Sequence, residues 1–440
     1  MRAPRGVAAF LVICGGQMVS LFGTGLTAFA LGVWIYQRTG SVTQYSTILL
    51  FNVLPPVLLS PVAGALVDRF DRRRVIIASD CAAGLATLTL ALLFFSGRLA
   101  IWHIYVALSV SSSAQAFRWP ALSASMTLLV PGRQLGRASG LMQMGVATAQ
   151  VLAPLAAGAL LGPLGMAGVL GIDFTTFLFA VLTLLTVRIP RPAAAAAPGE
   201  VRSLGGELAY GWHYLRRHPG LLALLCLFAG SNFTMGLLTV LITPLVLSFA
   251  SPRVLGTVLS VAGSGLLLGG IVMAVWGGPR RRLAGISCAL LAQSLVLLLG
   301  GWRISAPQVA AMAFVFLGCY SVINTCSQAL WQSKVAAAVQ GRVFATRQMV
   351  ALSALPLSRI VAGPLADRVF EPLLAPGGRL AGTLGRILGT GPGRGIELLI
   401  IVLGLFNLLV LALAWSYPRL RLLEDEMPDL TTAREAPLPA

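Results

Sequence analysis

Gly64-Ala65-Leu66-Val67-Asp68-Arg69-Phe70-Asp71-Arg72-Arg73-Arg74 is the stretch whose reading decides the fold. Six of these eleven residues are charged, in a chain where charged residues make up only 10%. Apolar runs flank it on both sides, each long enough to cross a bilayer, for which about 20 residues suffice. The stretch therefore reads as a short basic loop between the second and third membrane helices. Short basic loops stay on the cytoplasmic side.

Working outward, the composition agrees. With 57% hydrophobic residues and a mean hydropathy of +0.86, the 440-residue chain departs from a soluble domain, which carries about a quarter charged residues. An all-α integral membrane protein is expected. The net charge of +18 raises the question of nucleic acid. The arginines, however, fall in short clusters between apolar runs rather than on one polar face, so no nucleic-acid partner is expected. Lys334 is the single lysine beside a large excess of arginine, which reads as base composition of the gene. The six cysteines (Cys14, Cys81, Cys226, Cys288, Cys319 and Cys326) lie inside apolar runs without CxxC spacing and are read as small hydrophobes, with no metal and no disulfide framework. No GxSxG, HExxH or P-loop pattern occurs, and His103, His213 and His218 are scattered. Neither catalysis nor a cofactor is expected, and no cleavable signal peptide.

Twelve spans are predicted. The first six cover 7–36, 43–66, 75–96, 100–129, 135–161 and 165–187; the last six cover 220–248, 253–276, 283–302, 307–332, 344–368 and 396–416. The domain reading is an N-terminal six-helix bundle (1–187), a cytoplasmic linker (188–219), a C-terminal six-helix bundle (220–416) and a cytoplasmic tail (417–440). The linker holds an Ala-Pro-rich segment and then a polar, helical piece, Leu204 to Arg217. The tail, with Glu424, Asp425, Glu426 and Asp429, reads as disordered. With both termini in the cytoplasm, 22 basic residues fall inside, Lys334, Arg342 and Arg347 among them, and 7 outside. The reverse orientation would invert the rule.

Gly-x-x-x-Asp-Arg-x-x-Arg-Arg, realised here by Gly64, Asp68, Arg69, Arg72 and Arg73, resembles the loop 2–3 signature of the major facilitator superfamily (MFS). Asp71 stands where that family usually has glycine. Two further stretches resemble its drug:proton antiporters of the macrolide-efflux and siderophore-exporter group: Phe117-Arg118-Trp119-Pro120-Ala121-Leu122-Ser123-Ala124 with Leu129-Val130-Pro131, and Gly341-Arg342-Val343-Phe344-Ala345 with Met349. The arginine usual in mid-helix 4 of other drug antiporters is replaced by Ser109 to Ser113. The resemblance implies twelve transmembrane helices in two pseudo-symmetric six-helix bundles, working by alternating access as a monomer in a bacterial plasma membrane. Its implied partners are a small-molecule substrate, protons and the lipid bilayer. The implied activity is proton-coupled efflux of a bulky amphipathic compound such as an antibiotic, a siderophore or a peptide-type metabolite. Nutrient uptake by proton symport is the alternative, and a non-transporting receptor or scaffold a remoter one.

Internal repetition adds a second candidate gate. Val361-Ala362-Gly363-Pro364-Leu365-Ala366-Asp367-Arg368 repeats the end of span 2, but at the end of span 11, on the opposite face. The resemblance to the MFS implies that Gly64, Asp68, Arg69, Arg72 and Arg73 gate the inner side, and by the same physics Gly363, Asp367 and Arg368 are expected to gate the outer. The direct counterpart of the opening loop, Gly277-Gly278-Pro279-Arg280-Arg281-Arg282, keeps the arginines without an acid. The Gly-rich segment 371–396 lacks the Lys-Ser/Thr of a phosphate loop and is read as a flexible outer loop.

Ionisable residues inside spans are functional candidates because burying them is costly. Asp80 and Arg118 fall at similar depth on consecutive antiparallel helices and are expected to pair, either as a structural tie or as a proton-exchanging unit. Asp173 has no partner nearby in sequence and is the other candidate proton carrier. Arg359 lies mid-span 11. Since the resemblance places helices 1, 4, 7 and 10 around the central cavity, it selects Gln17, Gln115, Asn232, Asn324 and Gln328 as substrate contacts, with Phe22, Trp34, Trp119 and Trp331 available to stack on a large ligand.

Overall fold

The computed structural model describes residues 6–187, 204–301, 304–336 and 339–427. Among them the protein is helical throughout, with no strand. Ten helical stretches are long and apolar enough to cross a membrane. One of them, α5 (Leu135–Thr186), is two spans in sequence: Gly165 breaks it at φ 62°, a left-handed conformation that glycine adopts without steric cost, two residues after Pro163. With α4 (Ile101–Leu129), whose serines and Arg118 lower its hydropathy, the spans match the twelve read from the sequence.

The remaining helices are α1 (Val7–Thr39), α2 (Val42–Arg69), α3 (Arg72–Phe95), α6 (Leu204–Arg217), α7 (Pro219–Phe249), α8 (Pro252–Trp276), α9 (Arg282–Gly300), α10 (Ala306–Lys334), α11 (Gln340–Pro364) and α12 (Arg394–Ser416). Helix α11 continues into a π-helical stretch, Leu365–Phe370, that carries Asp367 and Arg368. The predicted start of span 11 at 344 is one turn late.

The chain divides into two compact units, Met1–Ala196 with Val246–Ser260, and Ala197–Leu245 with Val261–Ala440. The division by span count differs at the α7–α8 turn, which packs with the first unit. There a Cβ on Gly158 would stand 2.8 Å from Pro252 O, and Ser260 Oγ donates to Val151 O at 2.6 Å. The first unit has a core of Phe10, Ile13, Ile76, Leu122, Leu129 and Leu184. The second is built on Leu221, Leu224, Leu290, Ile323, Trp331 and Leu420. The linker residues 188–203 lie outside the described residues, whereas the helical piece expected after them is α6.

Lipid tails are as apolar as leucine, so close packing rather than water exclusion holds such helices together. Helix α1 shows how. A Cβ on Gly16 would collide with Thr183 Oγ1, and one on Gly23 with Thr176 Oγ1, both on α5. On Gly23 it would also come within 2.9 Å of Asp173 Oδ1. Gly23→Ala is therefore expected to cost about 1–3 kcal/mol in detergent unfolding. Gly15→Ala, with nothing within 4 Å of the new methyl, is expected to be neutral. Equal behaviour of the two would remove close α1–α5 packing as a source of stability.

The opening loop has a local explanation. Asp71 is the N-cap of α3, accepting from Arg73 N at 3.0 Å and Arg74 N at 3.4 Å, so the acid in the family's glycine position starts a helix. In the second unit the corresponding loop has no acid, and Arg282 N at the start of α9 instead donates to Glu424 Oε1 of the tail at 2.8 Å. The expectation of a disordered tail fails for residues 417–427. Pro418–Arg421 and Leu423–Glu426 form helical turns, Leu420 and Leu423 are buried, and buried Lys334 donates to Glu424 O at 3.0 Å and to Met427 O. Segment 371–396, read as a flexible outer loop, is also more ordered than read. It has a small core of Leu374, Leu388 and Leu398, and Arg394 binds both oxygens of Glu397 at 2.7 and 2.8 Å.

Candidate functional site

The polar residues singled out in the sequence sort into two cavities, one in each unit. In the first unit Asp80, 1% exposed, meets Arg118 across α3 and α4, with Oδ1 3.3 Å from Nη1. Its other oxygen accepts from Gln17 Nε2 of α1 at 2.7 Å. Gln17 is thus bound to the carboxylate. Asp173, 4% exposed on α5, accepts from Thr87 Oγ1 of α3 at 3.1 Å and forms no ion pair among the described residues. Asp80, Arg118, Asp173, Asn52 and Gln115 all line one polar pocket of about 40 Å³, together with Thr24 and Thr27. That is room for a water molecule or so, not for a drug. Gln115, expected among the substrate contacts, faces this small pocket.

The second unit holds a larger cavity, about 550 Å³, lined from α7, α10 and α11. Asn232, Asn324 and Gln328, the other three expected contacts, meet here. Tyr320 OH donates to Asn232 Oδ1 at 2.8 Å, Asn232 Nδ2 donates to Ala351 O at 3.3 Å, and Asn324 Nδ2 donates to Tyr320 O at 3.0 Å. These bonds fix the amides against the helix backbones. Aromatic Trp331 does not line the cavity: it is fully buried in the core of the unit. Of the other rings, Trp34 carries the Arg38 guanidinium 5.0 Å from its centroid, and Trp119 is 46% exposed.

Sequence reasoning missed Arg347. It was counted among the cytoplasmic cations, yet it lies two turns into α11, 8% exposed, on the wall of this cavity. Within α11 the sequence offers only Phe344, one turn before it, as a hint of burial.

The residues expected to gate divide. The surroundings of Gly64 and the side chains of Asp68 and Arg69 lie outside the described residues. Arg72 is half-buried. Arg73 ties the loop to the end of α5, donating from Nε to Leu184 O at 3.1 Å and from Nη2 to Leu185 O at 3.0 Å, which satisfies carbonyls a helix end leaves unpaired. On the other copy Gly363 is buried in α11, Asp367 is half-buried and Arg368 exposed. Among the described residues no cluster of His, Cys, Asp and Glu has the makings of a metal site.

Comparison with known proteins agrees with this architecture. Macrolide efflux protein A of Streptococcus pyogenes is 28% identical over 376 residues, covering 82% of this chain and 90% of the relative. Multidrug efflux pump Tap of Mycobacterium tuberculosis (strain ATCC 25618 / H37Rv) is 25% identical over 380 residues, covering 83% and 89%. Among solved structures, the fold is similar to the inward-facing bacterial homolog of the human lysosomal transporter Spinster, with TM-score 0.67, 16% identity, and 92% and 95% coverage. It is also similar to the nucleoside transporter NupG, with TM-score 0.69, 11% identity, and 92% and 99% coverage. The Major Facilitator Superfamily family model matches residues 13–358. The chain is thus a multi-pass membrane transporter rather than an enzyme, and it belongs to the Major Facilitator Superfamily.

Proposed function

We propose that this transporter exports a bulky amphipathic compound in exchange for protons, as a monomer with both termini in the cytoplasm. The observation that carries the reading is the separation of chemistries. Titratable carboxylates sit in a water-sized pocket of the first unit, and an amide-rich cavity of drug-accommodating size sits in the second. Asp173 is the proposed proton carrier. Asp80 and Arg118 are the companion pair, with Gln17 bound to the carboxylate and Gln115 on the wall of the same pocket. The efflux proteins named above lend the direction of transport. Asp68 and its neighbours at one face, and Gly363, Asp367 and Arg368 at the other, are the proposed gates, each favouring one state through contacts made only there. The π-helical turn under Asp367 suits that role, since such turns recur at functional sites.

Transport in proteoliposomes under an imposed pH gradient tests the proposal, with a panel of macrolides, siderophores and lipophilic dyes as cargo. Gradient-driven accumulation of at least one is expected; accumulation that ignores the pH gradient for every compound would overturn it. Within that assay Asn232→Ala and Asn324→Ala are expected to reorder the panel, moving individual compounds by about 10-fold, the worth of one or two hydrogen bonds. A uniform fall across the panel would assign the two amides to helix packing.

A further inference from the structure

The cavity of the second unit has a charge that nothing in it balances. Among the described residues no acidic side chain lines it, and Arg347 is the one charged group on its wall. The guanidinium donates from Nη1 to Gln328 Oε1 at 2.8 Å and from Nη2 to Ser327 Oγ at 3.4 Å, both neutral acceptors. Around it stand three aromatic faces, with ring centroids at 5.1 Å for Trp331, 5.5 Å for Phe228 and 5.9 Å for Phe344. No carboxylate pairs with it among the described residues. A guanidinium has five N–H donors, so three remain for a ligand.

Such an arrangement is expensive for a purely structural arginine. A buried cation is ordinarily neutralised by a carboxylate, because desolvation costs more than neutral hydrogen bonds return. The ring faces offset part of that cost while leaving the positive charge in place. Gln328 and the indole of Trp331 also hold the fork in one orientation before anything binds, which lowers the entropy lost on binding. Beyond the fork, the cavity offers apolar wall (Phe228, Leu355) and the neutral polar groups of Asn232, Tyr320 and Asn324.

We infer that Arg347 is the anchor for an anionic head, a carboxylate or phosphate, on the amphipathic ligand that occupies this cavity. The rest of the ligand lies along the apolar wall, and its neutral polar groups meet the amides. As a statement about cargo this rests on the export reading above; as a statement about binding it does not, because equilibrium binding requires no gradient.

Three probes sharing one fluorophore test it on purified full-length protein in nanodiscs of phosphatidylcholine: dansylglycine (anion), dansylglycinamide (neutral) and dansyl-ethylenediamine (cation). The native protein is expected to bind the anion about 30-fold more tightly than the amide, the worth of one charge-assisted contact, and the cation most weakly. Arg347→Gln is expected to erase the preference and Arg347→Lys to keep its sign. Equal binding of anion and amide by the native protein would overturn the inference without any variant having to fold. So would a preference untouched in Arg347→Gln. Phosphatidylglycerol nanodiscs separate the sources of the anion. Unchanged dansylglycine binding there supports a solute ligand. Loss of binding in the native protein assigns the fork to a lipid headgroup and overturns the inference for cargo. Should pH-driven export fail while the anion preference holds, the coupling proposal falls and the anchor stands.

Discussion

Asp173→Asn is expected to reduce pH-driven accumulation to the level of empty vesicles while substrate exchange at equal pH continues. Asparagine has the volume of aspartate and keeps an oxygen for the Thr87 hydroxyl, so the packing of α5 against α3 and α1 is preserved. What it loses is the ability to take up and release a proton. A group that couples two flows must change its own state in each cycle; a side chain that only holds helices together need not. The variant is therefore expected to unfold at the native temperature and to bind fluorescent ligands as the native protein does. Concentrative transport at native rates in this variant would make Asp173 structural and leave Asp80 as the carrier.

Arg118→Gln is expected to be the most destabilising single change in the first unit, by about 3–5 kcal/mol, because it leaves Asp80 buried with an amide in place of its counter-charge. Both partners are well shielded, with side chains 10% and 1% exposed, so little of this is screened by solvent. Adding Asp80→Asn is expected to restore most of the loss, since the second change removes the stranded charge. Denaturant unfolding in micelles of the two single variants and the double variant measures the coupling. Additive losses would mean that the two side chains contribute separately and that their 3.3 Å approach carries no stability of its own.

Much of the architecture was legible in the sequence because the bilayer imposes a length and a polarity on every span. Spans 1–4 and 7–12 were placed to within a turn, and the boundary read between 161 and 165 falls at the α5 break, Gly165. The pairing of Asp80 with Arg118 was legible because antiparallel neighbours bring equal depths together. The side of a helix that a residue faces was less so. Gln17 and Gln115 were grouped with Asn232 by polarity and helix number, yet they sit beside carboxylates, and only rotation about each axis decides that. Arg347 escaped because a charge near a helix end is ordinarily solvated. Here the aromatic rings around it, contributed by α7, α10 and α11, make burial tolerable, and no spacing within one helix reveals such a convergence. The tail was misjudged for a similar reason: it looks like a solvated polar end until the start of α9 is seen to use the Glu424 carboxylate and Lys334 the backbone carbonyls of Glu424 and Met427.

That last arrangement has a consequence for biosynthesis. The first unit caps its third helix with Asp71, a residue already translated when α3 emerges. The second unit caps α9 with Glu424, 142 residues further along the chain. At about 5–20 residues per second, that cap arrives some 7–28 seconds after the helix it serves. Until then the start of α9 and the ammonium of Lys334 depend on water or lipid headgroups. This end of the second unit is thus finished only near the end of synthesis, by the tail folding back over helices that are already in the membrane.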